Sequence, residues 1–354
     1  MADRARRQRL IIGSVVGVII LGYLLWFPQQ HAAPDVRLWT TAIYFGIAAM
    51  GLNILTGYNG QVSIGHGAFF GMGAFTTAVL MRDYDWSYLT TLPVAAVLAM
   101  AVGLVAGFPA LRVKGLYLAL VTLGLAVLFP DLVKRFVDTG GQNLINIPRR
   151  QRAAPSWWPS AISDQHEYAF YVTLIVALVL LGVAFLLVRS RFGRSLIAVR
   201  DAEAAASTVG IDVARAKLAA FAVSAMYAGV AGSLAVLMTG TAEAGKVTTF
   251  NLSILLLLAV VIGGAATVPG PFVGAFIVVM IQDQVDKFVA DPAFLPGFFK
   301  DKTVLSPAIF GIALILMMYV MPDGIVGGAR RLYNRIWSAA SSPRRTEVSP
   351  PIGN

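Results

Sequence analysis

Long apolar runs alternate with short polar stretches along most of this chain. They lie at about 10–27, 38–56, 63–81, 90–110, 115–133, 167–188, 216–239, 250–264, 271–285 and 303–321. Most approach the ~20 residues that a helix needs to cross a bilayer's hydrocarbon core. The runs are continuous rather than alternating, which favours helices over a closed barrel. Lipid offers no hydrogen bonds, so each spanning segment must satisfy its own backbone. The pattern predicts an all-α fold, a polytopic membrane helical bundle of about ten transmembrane segments that include short or broken helices.

Two interruptions stand out. The runs 250–264 and 271–285 are short, and Gly263, Gly264, Pro269 and Gly270 lie at or between their ends. Such a pair is either a tight hairpin of two spans or two half-helices meeting within the membrane. The second is the glycine-rich stretch GLNILTGYNGQVSIGHGAFFGMGAF at 51–75. Gly57 and Gly60 let the backbone leave the helix at mid-depth. Asn53, Asn59, Gln61, Ser63 and His66 then either face a water-filled translocation path or satisfy freed backbone groups in a tightly packed connection.

Charge orients the bundle. Four Lys or Arg residues precede residue 10, two lie at 111–114, six at 189–217 and five after residue 321, so 17 of 28 fall on one side. Basic loops stay in the cytoplasm, which predicts both termini inside. The exception is the outer loop 134–166, with Lys134, Arg135, Arg149, Arg150 and Arg152, where Trp157 and Trp158 suit a membrane interface. Arg4, Arg6, Arg7 and Arg9 before the first run resemble a signal peptide, but Leu10–Phe27 is long for one and reads as a retained first span. Residues 1–333 read as one transmembrane domain with a cytoplasmic loop at 189–217. The Ser/Pro-rich tail at 334–354 reads as disordered.

Composition agrees: 57% hydrophobic, 13% charged and a mean hydropathy of +0.73. The net charge of +10 sits in loops rather than on one soluble face, so no nucleic-acid partner is expected. The absence of cysteine excludes disulfides, metal–thiolate sites and cysteine catalysis. No GxxxxGK[ST] phosphate loop and no HExxH pair occur. No carboxylate falls mid-span, which counts against self-powered transport, although a sodium site built of carbonyls would leave no such mark. An intramembrane enzyme needs a catalytic pair, and His66 has no convincing partner in the sequence. A pore subunit driven by others, or an ion-gradient-driven secondary transporter or channel, remain the two readings that composition supports.

The polar, basic island RSRFGRSLIAVRDAEAAASTVGIDVARAK at 189–217 bears on that choice. Arg194, Arg200 and Asp201 offer charge to a partner. Glu203, Ala204 and Ala205, followed by Gly210 and Ile211, make a compact helix stopped by glycine. The alternative is an ordinary solvated inner loop.

Together these segments resemble the permease subunits of branched-chain amino-acid ABC importers, the LivM-type group. The resemblance runs over roughly 40–328 and rests on six segments in order: 51–75, LRVKGLYLALVTLG (111–124), TGGQNLINIP (139–148), the 193–232 segment, GGAATVPGPFVGAF (263–276) and MPDGIVGG (321–328). It implies a non-catalytic inner-membrane permease for branched-chain amino acids or related small solutes. The implied partners are a homologous LivH-type permease, two cytoplasmic ATPases that carry ATP and magnesium, a periplasmic substrate-binding protein and membrane lipid. This chain itself is expected to hold no cofactor and no metal. It implies that Arg194–Gly210 is a coupling helix seated in an ATPase groove, with Glu203, Ala205 and Gly210 at its centre. Two departures are visible. Four residues separate Ala205 from Gly210, where the general pattern has about three, and Val127 stands where many relatives carry glutamate.

Overall fold

The computed structural model describes residues 21–111, 115–139, 144–159, 164–243 and 250–290, plus positions 17, 19, 162 and a scatter between 311 and 331. The expected tail 334–354 and the start of the first span lie outside the described residues. The expected span at 303–321 is described at only a few positions.

The apolar runs between 38 and 285 become helices, and the polar island adds two short ones. They are α1 (Ala33–Asn53), α2 (His66–Tyr84), α3 (Tyr88–Ala110), α4 (Leu116–Phe136) and α5 (Gln165–Arg189), then the short α6 (Arg191–Asp201) and α7 (Glu203–Thr208), then α8 (Val213–Thr239), α9 (Phe250–Gly263) and α10 (Gly270–Ala290). α1 runs on into one π-turn at Ile54–Tyr58. Among the described residues five helices are long and apolar enough to cross a membrane: Ala33–Tyr58, Tyr88–Pro109, Tyr117–Phe136, Gln165–Arg189 and Val213–Thr239. The chain is a multi-pass, predominantly helical membrane protein.

Burial sorts these helices into a centre and a shell. α8 packs against α1, α2 and α3, and α1 also packs against α5, α9 and α10. Most of the apolar stretch of α8 and of α1 is enclosed by protein, whereas α3, α4 and α5 are largely uncovered. The uncovered faces carry Val105, Phe108, Tyr117, Val127 and Leu186, each more than half exposed. Apolar side chains in such contiguous bands are solvated by lipid tails rather than by water.

Lipid is as apolar as leucine, so close van der Waals packing holds the centre together. α2 and α8 cross with backbone on backbone: a Cβ on Gly73 would strike the Gly229 carbonyl, and one on Gly232 would strike the Phe70 carbonyl. Thr77 Oγ1 donates to Ser233 Oγ at 2.7 Å one turn away, which fixes the register of that crossing.

α9 and α10 form the hairpin foreshadowed by Gly263–Gly270. At 14 residues α9 is ~21 Å long, short of the hydrocarbon thickness. α10 continues to Ala290, beyond the expected 285, and the Lys287–Asp283 pair at 2.6 Å bridges its last turns. The connections after α4 and after α8 hold a two-stranded antiparallel ladder that helical periodicity does not foretell. Strand β1 (Leu144–Asn146) pairs with β2 (Thr241–Glu243), placing Ile145 opposite Ala242. Beside it Arg152 is buried and donates to the carbonyls of Ile147 at 3.2 Å and Leu237 at 3.0 Å. The second bond satisfies an orphan carbonyl in the last turn of α8. Burial, and then the neighbouring Arg149 charge, holds the Arg152 guanidinium below its ordinary pKa.

Candidate functional site: the polar island against the broken helix

The island 190–212 does not form one helix. Ser190 caps α6, its hydroxyl accepting from Gly193 N at 3.3 Å. Ala202, at φ −157° and ψ 88°, then breaks the run, and α7 starts in a new direction. The expected single helix over Arg194–Gly210 is thus a bent pair, because Ala202 leaves helical backbone between the two acidic residues Asp201 and Glu203. α6 is amphipathic: Gly193, Leu196 and Val199 face the bundle, while Arg194 and Arg200 sit on the exposed side.

α7 closes with a Schellman turn. Gly210 N donates to Ser207 O at 3.1 Å and Ile211 N to Ala206 O at 3.1 Å, with Gly210 at φ +84°. A Cβ at Gly210 would meet nothing within 4 Å. The glycine is therefore there for its left-handed backbone, not for want of space. Ala204, Ala205 and Val209 lie exposed on this turn, Val209 at 75%. Glu203 is engaged within the protein: its carboxylate takes Lys217 Nζ at 2.9 Å, and the Lys217 side chain is only 9% exposed. This pair ties α7 to the second turn of α8. Lys217 had counted in the sequence only as part of the inner positive charge.

Arg200 joins the island to the glycine-rich stretch. Its Nη1 donates to Gly57 O at 2.9 Å, while Nε and Nη2 hold Asp201 at 2.9 and 2.8 Å. The Gly57 carbonyl belongs to the π-turn that ends α1, where carbonyls lack helical donors. From there a second link leads on. Asn53, fully buried, donates from Nδ2 to Thr267 O at 2.8 Å and accepts from Ala266 N at 2.8 Å. One amide thus clamps both polar faces of the α9–α10 turn, where Ala266 sits at φ +57° and Gly264 at φ +107°. The two breaks suspected in the sequence, at Gly57–Gly60 and Gly263–Gly270, meet across this side chain.

The five polar residues of 53–66 divide by surroundings. Asn53 is used in the clamp. Ser63 is buried and accepts from Gly65 N at 3.4 Å. His66 is buried beside Ser224 at 2.8 Å; since the Ser224 hydroxyl donates to Gly51 O at 2.6 Å, His66 Nε2 must be the protonated donor. His66 Nδ1 then has no partner. Asn59 and Gln61 differ: Asn59 Nδ2 donates to Gln61 Oε1 at 2.8 Å, and both residues line a cavity of about 170 Å3 together with Val199, Arg200, Glu203 and Lys217. Among the described residues no cluster of three His, Asp or Glu side chains is placed to hold a metal ion.

Comparison with known proteins places these features in a family. Residues 36–322 match the family model described as branched-chain amino acid transport system / permease component. The chain is 29% identical over 339 residues to the high-affinity branched-chain amino acid transport system permease protein LivM of Escherichia coli K12, covering 90% of this chain and 75% of that protein. It is 30% identical over the same extent to LivM of Salmonella typhimurium. It is also 24% identical over 308 residues to the probable branched-chain amino acid transport permease protein LivH of Methanocaldococcus jannaschii, covering 83% of this chain and 92% of that one. No solved structure matches the chain. Six segments in sequence order, a helical multi-pass bundle and this match over most of the length agree: the chain is a LivM-type member of the branched-chain amino acid transport permease family.

Proposed function

We propose that this chain is one of two permease subunits of an inner-membrane ABC importer, forming half of the path for branched-chain amino acids or related small solutes. In this reading it has about ten spans with both termini in the cytoplasm. It catalyses nothing itself: ATP and magnesium bind two cytoplasmic ATPase subunits, a LivH-type permease completes the path, and a periplasmic binding protein delivers the solute.

The supporting observation is the Arg200–Gly57 hydrogen bond, which connects the exposed α6–α7 island to the broken end of α1. Ala204, Ala205, Val209 and Gly210 form a small, apolar, solvent-facing turn of the kind that seats in a groove, with Arg194, Asp201 and Ile211 around it. Movement of a docked ATPase would shift α6 and α7 as one body, because the Glu203–Lys217 pair and the buried Leu196 and Val199 fasten them to the bundle. Arg200 passes that shift to the π-turn, and Asn53 passes it to the α9–α10 turn. A hydrogen bond from a charged donor is worth about 1.5–3 kcal/mol, enough to bias a two-state element by ten-fold or more. Asn59 and Gln61 are the path residues of this account.

Gentle-detergent purification from the native membrane, followed by mass spectrometry and reconstitution, tests the reading. Recovery with two ATPases and a similar permease, and uptake that needs ATP, are expected. Uptake by this chain alone on an ion gradient would instead make it a secondary transporter.

A further inference from the structure

The small cavity between the island and the broken helix has features of a solute site. It opens beside Gly60 and Gly115, and its volume of about 170 Å3 far exceeds the ~15 Å3 that one water needs. Its walls carry Arg200 and the Lys217–Glu203 ion pair, and Arg200 is held by Asp201 from outside the lining. Each cation of the wall thus has a carboxylate partner, at 2.8 Å for Arg200 and 2.9 Å for Lys217. One polar atom is left over: Asn59 Oδ1 is buried without a partner, on a residue only 2% exposed. A buried acceptor in this state costs about 1–3 kcal/mol unless a donor reaches it.

We propose that this cavity is an inner-mouth subsite for an α-amino acid zwitterion, its ammonium group donating to Asn59 Oδ1 and its carboxylate facing Lys217 and Arg200. A solute that is neutral overall but carries both charges suits a wall whose cations are already paired better than a salt ion does. The aliphatic side chain would lie against Leu118 and Val199. The inference rests on the permease reading for its substrate class. It adds a site on the inner side, next to the residues that report ATPase movement. A solute held there bridges Arg200 and Asn59, so occupancy couples release into the cytoplasm to the position of α6.

The chain has no cysteine, so one introduced thiol reports the cavity cleanly. Leu118→Cys lies in its wall. The full chain, in nanodiscs with its co-purifying subunits, is alkylated with a small maleimide during titration with leucine, with isoamylamine, which lacks the carboxylate, and with 4-methylpentanoate, which lacks the ammonium group. Leucine should slow alkylation about ten-fold at ten times its half-effect concentration. Neither analogue should match it at equal concentration. Asn59→Leu should abolish the protection. Asn59→Asp keeps an acceptor and adds a charge, so it should let isoamylamine protect. An alkylation rate indifferent to leucine means a water-filled pocket and overturns the proposal; so does protection by 4-methylpentanoate, or protection that survives Asn59→Leu. If Asn59→Leu does not fold, the isoamylamine response of Asn59→Asp decides. Absence of co-purifying ATPases would count against the permease reading itself and is seen before the titration starts.

Discussion

The Arg200 guanidinium reaches 143 residues back along the chain to the Gly57 carbonyl, at 2.9 Å. This hydrogen bond joins a surface island to a break inside the bundle. Arg200→Ala should leave the subunits assembled and basal ATP hydrolysis intact, and lower transport per ATP ten-fold or more, in line with loss of a charged hydrogen bond. Arg200→Lys should recover little, since an ammonium group cannot hold Gly57 and Asp201 at once in the fork geometry. Uptake and hydrolysis measured on the same proteoliposomes give the ratio.

The Glu203–Lys217 pair predicts a rescue. Glu203→Lys sets a second cation beside a largely buried Lys217 and should lower both yield and uptake. Adding Lys217→Glu restores the pair in reverse and should recover folded protein. If Glu203 instead served only as an ATPase contact, the second change would deepen the defect. Thermal melting of the single and double variants separates the two.

Gly210 makes a prediction about backbone rather than bulk. With open space around it but φ at +84°, Gly210→Ala should cost about 1–2 kcal/mol in the left-handed conformation. Gly210→Asn, which tolerates that conformation, should cost less. A series that follows residue size instead would show that packing, not φ, is the constraint.

Asn53 should behave as a clamp. Asn53→Leu removes the partners of Thr267 O and Ala266 N together, at about 1–3 kcal/mol for each group left dry. The expected result is a lower melting temperature and a loosened α9–α10 turn, read as faster hydrogen exchange at Ala266. Unchanged exchange there would show that the two breaks are independent.

These residues also mark what the sequence could and could not reveal. Apolar runs give the helices directly, because burial in lipid or protein imposes length and composition locally. Gly210 and the Gly263–Gly270 break are legible for the same reason: special backbone needs special residues at that point in the chain. Asn53, Lys217 and Arg152 were not legible in their roles, since each depends on partners 214, 14 and 85 residues away. Asn53 carries the same sequence signal as Asn59, yet one is spent in a clamp and the other faces a cavity. The bend at Ala202 and the β1–β2 ladder were also hidden: alanine marks no break, and two three-residue strands are too short for a period-2 signal.

The most direct test of the proposed coupling is whether the α7 turn touches an ATPase subunit. Val209, 75% exposed and in a chain without cysteine, is replaced by cysteine and labelled with a benzophenone maleimide in native membranes. Val105→Cys, 74% exposed on the apolar face of α3, serves as control. The account predicts that light crosslinks the Val209 probe to an ATPase subunit, that the crosslink changes with ATP, and that the Val105 probe labels lipid instead. A Val209 probe that finds no ATPase, in membranes where the complex is intact and active, would contradict the proposed coupling.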